Sequence, residues 1–439
     1  MDSKEKQINY VAPFISLVFL FFVVGFLTTA NGQFQAPLKE AFLKGAGNLK
    51  NTFATLITFS WFLAYPLTGG VGSNWINRFG YKSTLVRALF IMIIGLGVFL
   101  LSSLFTISFP EAGLKIFSAT IPYGYFIFLL GSFIVGASAT ILQVVINPYL
   151  SACSVKGTQS IQRLAIGGSA NSIGTTIAPF FVAGIVFGGL AMEDVKVSQL
   201  IVPFLALMGV MLVVVLVLSK LAMPDIPSTK AETGEKLGKS VWSFRHLKLG
   251  VITIFFYVGV EVCIGNNINL YVIELQDTVG NISFFGSETL KLFGINFTIP
   301  ALAATLYWFG ILIGRLVGSS LSKVTPRVQL TTTSSLAIIM VLLSILFNNI
   351  WLLVAVGLFH SIMWGAIFTL SIHGLGKYTS KASGVFMIGV VGGAILPLLQ
   401  GIFADSLHSW RWTWFIVLFG EFLILYYALV GSRISQFEE

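Results

Sequence analysis

Charged residues are scarce in this sequence, and their scarcity excludes most soluble folds. Only 10% of the 439 residues are charged and 56% are hydrophobic, whereas soluble proteins carry about 25% charged residues. The chain also lacks the G-x-S-x-G, H-E-x-x-H and Walker sequences of common enzymes. We therefore predict a membrane protein that is not an enzyme and that needs no cofactor.

Cysteine occurs only twice, at Cys153 and Cys263. The first falls in a predicted loop and the second in the middle of a predicted membrane span, so we expect no disulfide. The net charge is +9, but the basic residues stand beside apolar segments rather than on one soluble polar face. This placement argues against nucleic-acid binding.

Long apolar runs fill most of the chain. A helix of about 20 apolar residues crosses a bilayer about 30 Å thick and satisfies its own backbone hydrogen bonds. Most of the 26 lysines and arginines fall on one side when both termini are placed in the cytoplasm, as the positive-inside rule requires. We predict an all-α integral membrane protein with twelve transmembrane helices. The predicted spans are residues 10–34, 52–76, 84–107, 121–150, 163–189, 198–219, 249–274, 299–321, 328–347, 351–374, 383–407 and 411–432.

One polar segment divides these spans into two sets of six. It covers residues 221–248, between a predicted bundle at residues 1–220 and a second at residues 249–439. The segments VVGFLTTANGQFQ, from Val23, and YVGVEVCIGNNIN, from Tyr257, both place amides six to ten residues after a glycine. Two pseudo-symmetric bundles with polar residues in matching helices are typical of transporters whose site lies between two repeats.

The segment GSNWINRFGYK, which begins at Gly72, resembles the loop between the second and third helices of the major facilitator superfamily. The family pattern is roughly G-x-x-x-D-R-x-G-R-K, and this loop acts as a conformational latch. Arg78, Gly80 and Lys82 match the pattern, whereas Asn77 replaces its acidic residue. The resemblance implies a twelve-helix permease whose latch has a weakened charge pair.

Further segments resemble the fucose permease branch of this superfamily and, within it, the glucose/galactose permeases. They are FFYVGVEVCIGNNINLY from Phe255, LYWFGILIGRLVGS from Leu306, and the segment from Phe368 to Asp405. The resemblance implies alternating-access transport of a hexose, glucose or galactose, across a bacterial inner membrane.

Two acids that handle the proton in the fucose permeases are missing here. By the flanking residues, the family's aspartate in helix one falls at Gly32 or Asn31, and its glutamate in helix four falls at Gln143. Glycine has no side chain, and the amides of Asn31 and Gln143 do not ionise. The resemblance therefore does not imply proton symport by the family's usual route.

Amides inside the apolar spans are the first candidates for a sugar site, because each offers donors and acceptors to hydroxyl groups. Trp308 and Trp364 lie in mid-span, where an indole can pack on a sugar ring, and His360 lies one turn before Trp364. The structural alternatives are helix packing for the tryptophans, backbone repair before Pro148 for Asn147, and an interhelical hydrogen bond for His360. The candidate amides are Asn31, Gln33, Gln143, Asn147, Asn171, Asn266, Asn267 and Asn269.

Two acids lie deep in predicted spans, where an ionisable group costs about 3 kcal/mol unless it faces water or a partner. Glu261 belongs to the seventh span, which lines the cavity in this superfamily, so we predict that it binds sugar or couples an ion. Carboxylate and amide oxygens are hard ligands, so sodium is favoured over a proton near Glu261. Glu421 belongs to the twelfth span, outside the usual cavity, and we expect a structural role for it.

The expected protein is a monomer in the lipid bilayer whose ligands are a small sugar and, as co-substrate, sodium or a proton. Three alternatives stay open. They are a hexose uniporter, a permease for an amino sugar or a disaccharide, and a non-transporting sugar receptor with the transporter fold.

Overall fold

Helices that can cross a membrane account for most of the structure. The computed structural model describes residues 10–116, 119–153, 155–158, 160–188, 194–224, 239–280, 282–287, 289–292, 295–319 and 324–434. Over these residues, eleven helices are long and apolar enough to cross a bilayer. One of them, Lys44–Ser108, has 65 residues and bends at Gly80, whose φ of 77° is left-handed. It supplies the second and third predicted spans, so the prediction of twelve transmembrane helices is confirmed.

Over its described residues the first half of the chain supplies six helices, and three of them contain a proline well inside the helix, beyond its first turn. Such prolines are tolerated because neighbouring helices satisfy the freed backbone groups. Pro66, Pro148 and Pro179 occupy these positions. The helices are α1 (Val11–Gln33), α2 (Gln35–Phe42), α3 (Lys50–Ser108), α4 (Tyr123–Ala152), α5 (Ser160–Phe180) and α6 (Ile201–Lys220).

In the described part of the second half there are seven α-helices, because the eleventh span is broken. The helices are α7 (Arg245–Val279), α8 (Ile299–Ser319), α9 (Pro326–Phe347), α10 (Ile350–Ile372), α11 (Thr379–Phe386), α12 (Gly392–Leu407) and α13 (Trp414–Tyr426). A 3₁₀ turn, Met387–Val391, joins α11 to α12. Gly392 lies directly on the backbone of Phe255 in α7 and leaves no room for a side chain, which is how small residues allow close helix packing in membranes.

Two short antiparallel hairpins distinguish the ends of the molecule. Strand β1 (Gly113–Ile116) pairs with β2 (Ala119–Pro122) between α3 and α4, and β3 (Thr289–Leu292) pairs with β4 (Ile295–Thr298) between α7 and α8. Because successive spans run in opposite directions, both hairpins lie at the same end. We call it the hairpin end, and we call the opposite end, where α6 leads to α7, the linker end.

Each half packs as its own bundle. In the first, α3 packs on α4 and α1 on α5; in the second, α10 packs on α8 and α9, and α7 on α12 and α13. Helix α6 is peripheral, since Phe204, Met211, Val215 and Leu218 are its buried residues. The bundles contact one another where α3 meets α12 and where α5 meets α8.

The exact bundle boundaries, after residue 220 and before residue 249, stay predictions. The predicted linker at residues 221–248 includes residues 225–238, which lie outside the described part of the chain. The same holds for the ends of the chain that we predict to be cytoplasmic, residues 1–9 and 435–439.

Candidate functional site

Amides from both bundles meet near the hairpin end, where α1 and α3 face α7. Gln33 donates from Nε2 to the backbone oxygen of Gly265 at 2.9 Å, and Asn269 donates from Nδ2 to Oε1 of Gln33 at 2.6 Å. Asn266 donates from Nδ2 to Oγ1 of Thr58 at 3.3 Å. Polar side chains that are far apart in sequence therefore close the contact between the two bundles.

Thr58 also accepts a hydrogen bond from Nε2 of Gln35 in its own bundle. We call Gln33, Gln35, Thr58, Asn266 and Asn269 the amide cluster. All five are buried, yet the carbonyl oxygens of Gln35, Asn266 and Asn269 have no hydrogen-bond partner. A buried acceptor without a donor costs about 1–3 kcal/mol. The cluster therefore holds unused acceptors that suit the hydroxyl groups of a ligand.

Asn267 is separated from this cluster. Residues at i and i+3 share a helix face, whereas the residue after the first points about 100° away. Asn267 accordingly faces α12, where its Nδ2 donates to Oε1 of Gln400 at 2.9 Å and to the backbone oxygen of Pro397 at 3.4 Å. Asn267 therefore ties α7 to its own bundle and lies on a different face from Asn266 and Asn269, and sugar binding by Asn267 stays a prediction.

The two positions in α1 that align with the family's proton carrier have different surroundings. Asn31 stays within the first bundle, where its Nδ2 donates to the backbone oxygen of Ile57 at 3.2 Å and its Oδ1 accepts from Ser132 at 2.9 Å. Gly32 lies directly against the side chain of Asn266 in the other bundle, so a Cβ at position 32 would overlap that amide. Asn266 fills the space that an acid at position 32 would need.

Restoring an acid at position 32 is therefore expected to inactivate the protein. Gly32→Asp should prevent the bundles from closing at the hairpin end and lower uptake at least tenfold, because an overpacked site costs about 1–3 kcal/mol. Adding Asn266→Gly should remove the overlap and recover part of the loss in thermal stability, measured on detergent-solubilised protein. A Gly32→Asp variant with unchanged melting temperature and uptake would contradict this packing.

Glu261 is the acid in the middle of α7, and it is partly exposed. Every other residue from Tyr257 to Val272 is buried, whereas Glu261 is partly exposed. Its side chain lies one helical turn after Tyr257 and interacts electrostatically with Arg315 and His360. In the described ranges no three His, Cys, Asp or Glu side chains cluster as metal ligands, so a sodium site near Glu261 stays a prediction that relies on amide and backbone oxygens.

Gln143 and Asn147 in α4 are partly exposed on one face, as their spacing predicts. Gln143 stands where the family has its helix-four acid, and its Nε2 donates to the hydroxyl of Tyr65 at 2.8 Å. Asn171 has a different role, since its Nδ2 donates to the backbone oxygen of Phe21 at 3.0 Å and its atoms fill the space beside Gly25. Asn171 therefore holds α5 against α1, although it remains partly exposed.

The two tryptophan candidates differ in exposure. Trp308 is only 8% exposed and packs against Gly265 at the start of the amides of α7, and its Nε1 has no hydrogen-bond partner. Trp364 is partly exposed and stacks on Phe368, with ring centroids 5.4 Å apart and planes 17° apart. Trp364 is therefore the more exposed of the two rings, whereas Trp308 packs on α7 beside Gly265.

His360 is not exposed, in contrast to the partly exposed Glu261, Gln143 and Trp364. Its ring is fully buried, its Nε2 lies 2.6 Å from Oε1 of Glu421, and its Nδ1 lies 2.7 Å from the hydroxyl of Tyr307. Both ring nitrogens therefore have protein partners. His360 thus makes an interhelical contact, which is its structural alternative, and sugar binding by His360 stays a prediction. The sequence predicts a structural role for its partner Glu421, because the twelfth span lies outside the usual cavity of the family.

The predicted latch loop contains no acid–base pair among its described contacts. Lys82 donates from Nζ to the backbone oxygen of Ser219 at 2.8 Å, Arg78 lies over the ring of Phe79 at 5.1 Å, and Asn77 is exposed. Gly80 makes the bend between the two halves of α3. The loop ties α3 to α6 inside the first bundle.

An acid that sequence reasoning missed joins the bundles at the hairpin end. Asp405 at the end of α12 accepts hydrogen bonds from the backbone N–H of Asn51 at 3.1 Å and of Thr52 at 2.6 Å, and from the Thr52 hydroxyl at 2.6 Å. These N–H groups begin α3 and have no partner within that helix. The signal in the sequence was weak, because Asp405 and Asn51 lie 354 residues apart.

Arg315 in α8 is a further residue that was missed, and it joins the bundles nearer the linker end. Its Nη1 donates to the backbone oxygen of Gly168 at 3.3 Å and to the hydroxyl of Ser172 in α5, while its Nε donates to the backbone oxygen of Ser361 at 3.3 Å. One guanidinium group therefore contacts both bundles beside Glu261.

Comparison with known proteins gives consistent relatives. Residues 17–391 match the family described as the Major Facilitator Superfamily. A glucose/galactose transporter of Brucella abortus is 30% identical over 98% of this chain and 96% of its own length. A putative glucose/galactose transporter of Helicobacter pylori is 32% identical over 95% and 96%. The L-fucose-proton symporter of Escherichia coli is 23% identical over 91% and 88%.

Solved structures share the fold. The crystal structure of the Escherichia coli fucose:proton symporter aligns with a TM-score of 0.63 over 97% of this chain and all of that one, at 20% identity. The inward-open xylose transporter of Escherichia coli aligns with a TM-score of 0.68 over 98% of this chain and 97% of that one, at 13% identity.

Proposed function

This chain belongs to the major facilitator superfamily, in the branch of the bacterial glucose/galactose transporters and the fucose–proton symporters, and we propose that it is a sugar permease for a neutral hexose such as glucose or galactose. The observation that carries the proposal is the amide cluster, which joins the two bundles through hydrogen bonds and retains three unpartnered carbonyl oxygens. A polyhydroxylated ligand can satisfy such groups from both bundles at once.

The proposed cycle uses the contacts between the bundles. At the hairpin end, the hydrogen bonds of Gln33 to Gly265 and Asn269 connect α1 to α7, so opening this end must break them. The partly exposed Glu261, Gln143 and Trp364 then supply a carboxylate, an amide and an aromatic face to the sugar. Because bound hydroxyls replace the broken hydrogen bonds, binding offsets the cost of moving between the two states.

We propose cation-coupled uptake, with Glu261 as the group at which the ion exchanges with water. The sodium hypothesis requires the Glu261 carboxylate and nearby amide oxygens as ligands, and the proton hypothesis requires that carboxyl to change protonation. We further propose that the protein is a monomer in the bacterial inner membrane with both termini in the cytoplasm. The support for this location is the excess of basic residues on that side of the spans.

Counterflow of labelled sugar tests the transport proposal. Purified protein in vesicles preloaded with unlabelled glucose or galactose should take up external labelled sugar transiently, while vesicles without protein should not. Sugar-dependent thermal stabilisation without counterflow would instead identify a non-transporting receptor. Stabilisation by a disaccharide or an amino sugar, and by neither hexose, would replace the proposed substrate.

Uptake under separate gradients tests the coupling. An imposed sodium gradient at equal pH and an imposed pH gradient without sodium should be compared in the same vesicles. Accumulation under one gradient identifies the ion, whereas counterflow without accumulation under either identifies a uniporter.

A further inference from the structure

Two titratable side chains are buried together behind Glu261, and we infer that His360 and Glu421 form a proton-binding site through which transport is coupled to a proton gradient. The inference rests on the proposed sugar-permease function and names the coupling ion. It differs from the route of the fucose permeases, because it uses two helices of the second bundle, α10 and α13, instead of acids in α1 and α4.

The geometry of the pair favours a shared proton. Both side chains are fully buried, and His360 Nε2 lies 2.6 Å from Glu421 Oε1. The other carboxyl oxygen of Glu421 is buried without a partner. An ionised carboxylate is expensive to bury unless its oxygens are paired, so an arrangement in which Glu421 carries a proton fits this environment.

The Tyr307 hydroxyl allows Nδ1 of His360 to be either a hydrogen-bond acceptor or a donor. Its hydroxyl lies 2.7 Å from His360 Nδ1 and 3.2 Å from the backbone oxygen of Glu261. A phenol has one proton to donate, so Tyr307 donates either to Nδ1 or to that carbonyl oxygen. In the second case Nδ1 is free to carry a proton of its own and to donate it to the Tyr307 oxygen.

The two arrangements differ by one proton. In the unloaded state Tyr307 donates to Nδ1, and the Nε2–H of neutral His360 donates to ionised Glu421, which gives the pair a charge of minus one. When a proton arrives, it binds Nδ1, Tyr307 turns to the backbone oxygen of Glu261, and the Nε2 proton passes to Oε1 of Glu421. The loaded pair is neutral, and every hydrogen-bond contact is kept.

Tyr257 holds the backbone of His360 against α7. Its hydroxyl donates to the backbone oxygen of His360 at 2.8 Å, and Glu261 lies one helical turn after Tyr257 on α7.

The remaining charged groups suggest how the two bundles influence the proton. The guanidinium group of Arg315 interacts electrostatically with Glu261 and Tyr257 and is held to the other bundle through Gly168 and Ser172. When the bundles rock apart at α5 and α8, Arg315 must release these partners, and its positive charge becomes available to the acids.

Other titratable and charged groups surround the pair of His360 and Glu421. They are Tyr257, Glu261 and Cys263 on α7, and Tyr307 and Arg315 on α8. Helix α9 carries one charged residue, Arg327, at its start.

The test uses the full chain in sodium-free proteoliposomes with a pH-sensitive dye. Sugar added to the wild type should cause proton uptake, and an imposed pH gradient should concentrate the sugar. Glu421→Gln should retain measurable counterflow but lose both proton uptake and accumulation, so that the internal to external sugar ratio falls to about one. His360→Asn, which removes the other member of the pair, should behave in the same way.

Tyr427→Phe is the matched control. It removes another buried hydrogen bond to α10, the 2.9 Å contact between the hydroxyls of Tyr427 and Ser371, without removing a group of the proposed site, and it should keep both accumulation and proton uptake. Wild-type protein that exchanges sugar without taking up protons would overturn the inference, as would a Glu421→Gln variant that accumulates sugar normally. Wild-type protein without any counterflow would instead refute the proposed permease.

Discussion

Glu261→Gln is expected to abolish concentrative sugar uptake while leaving exchange at saturating sugar. Glutamine keeps the shape of Glu261, but it cannot carry a negative charge or exchange a proton. Glu261 is partly exposed among buried neighbours, and our proposal is that it contacts both the ligand and the coupling ion. A hydrogen bond to a charged group contributes about 2 kcal/mol, which corresponds to a roughly thirtyfold loss of apparent sugar affinity.

Uptake and counterflow should be measured on the same vesicle preparations over a range of sugar concentrations. The matched control is Asp277→Asn, which removes an exposed acid from the same helix near the hairpin end, and it should behave as the wild type. Gradient-driven accumulation by Glu261→Gln at the wild-type level would remove Glu261 from the mechanism. Loss of affinity in this variant but not in Glu421→Gln would separate sugar binding from the buried proton pair.

Asp405→Asn is expected to shift the protein toward the state that is open at the hairpin end. Its carboxylate accepts three hydrogen bonds from the first turn of α3 in the other bundle, where a negative charge also meets the positive end of the helix dipole. Losing the charge should cost the closed state about 2 kcal/mol, which is a roughly thirtyfold change in the ratio of the two states. Asp405 also interacts electrostatically with the ammonium group of Lys39. Burial lowers the pKa of Lys39, and the negative charges of Glu40 and Asp405 oppose that shift.

A cysteine at Ala301 reports this opening. Ala301 lines a small cavity at the hairpin end together with Gln33 and Asn269, and it is 5% exposed. In a background without the two native cysteines, Ala301→Cys should react with a membrane-impermeant maleimide at least tenfold faster when Asp405→Asn is present.

Glu274→Gln provides the control for Asp405. Glu274 also accepts hydrogen bonds at the hairpin end, but its partner is the backbone N–H of Trp410, at 2.8 and 3.1 Å, inside its own bundle. This variant should not change the labelling rate. Equal labelling rates with and without Asp405→Asn would show that the cap on α3 does not hold the bundles together.

The two ends of the molecule differ in their latches. At the linker end, Asn77 replaces the acid of the family's loop, and the described contacts of Arg78 and Lys82 are an aromatic ring and a carbonyl oxygen. At the hairpin end, Asp405 supplies a charged contact between the bundles, and nearer the linker end Arg315 supplies another. The two bundles are therefore held together by a charged side chain toward each end.

The sequence identifies polar side chains within the spans, but it does not assign their partners. An acid in mid-span must face water or a partner, and the structure leaves Glu261 partly exposed. The same polarity argument selects Asn267 and His360, and the structure gives both of them partners within their own bundle. Polarity in a membrane helix indicates that a side chain has a partner, and it does not identify that partner.

The sequence by itself determined the twelve spans and the helix face shared by Asn266 and Asn269. These properties depend on bilayer thickness and helical periodicity, which act on residues close together in the chain. Only the tertiary structure decided that Asn269 meets Gln33, 236 residues away, that Glu421 meets His360, and that Asp405 caps α3. Such contacts depend on how whole helices rotate and approach one another, and that is set by packing along their entire length, including small residues such as Gly32 that let one bundle touch the other.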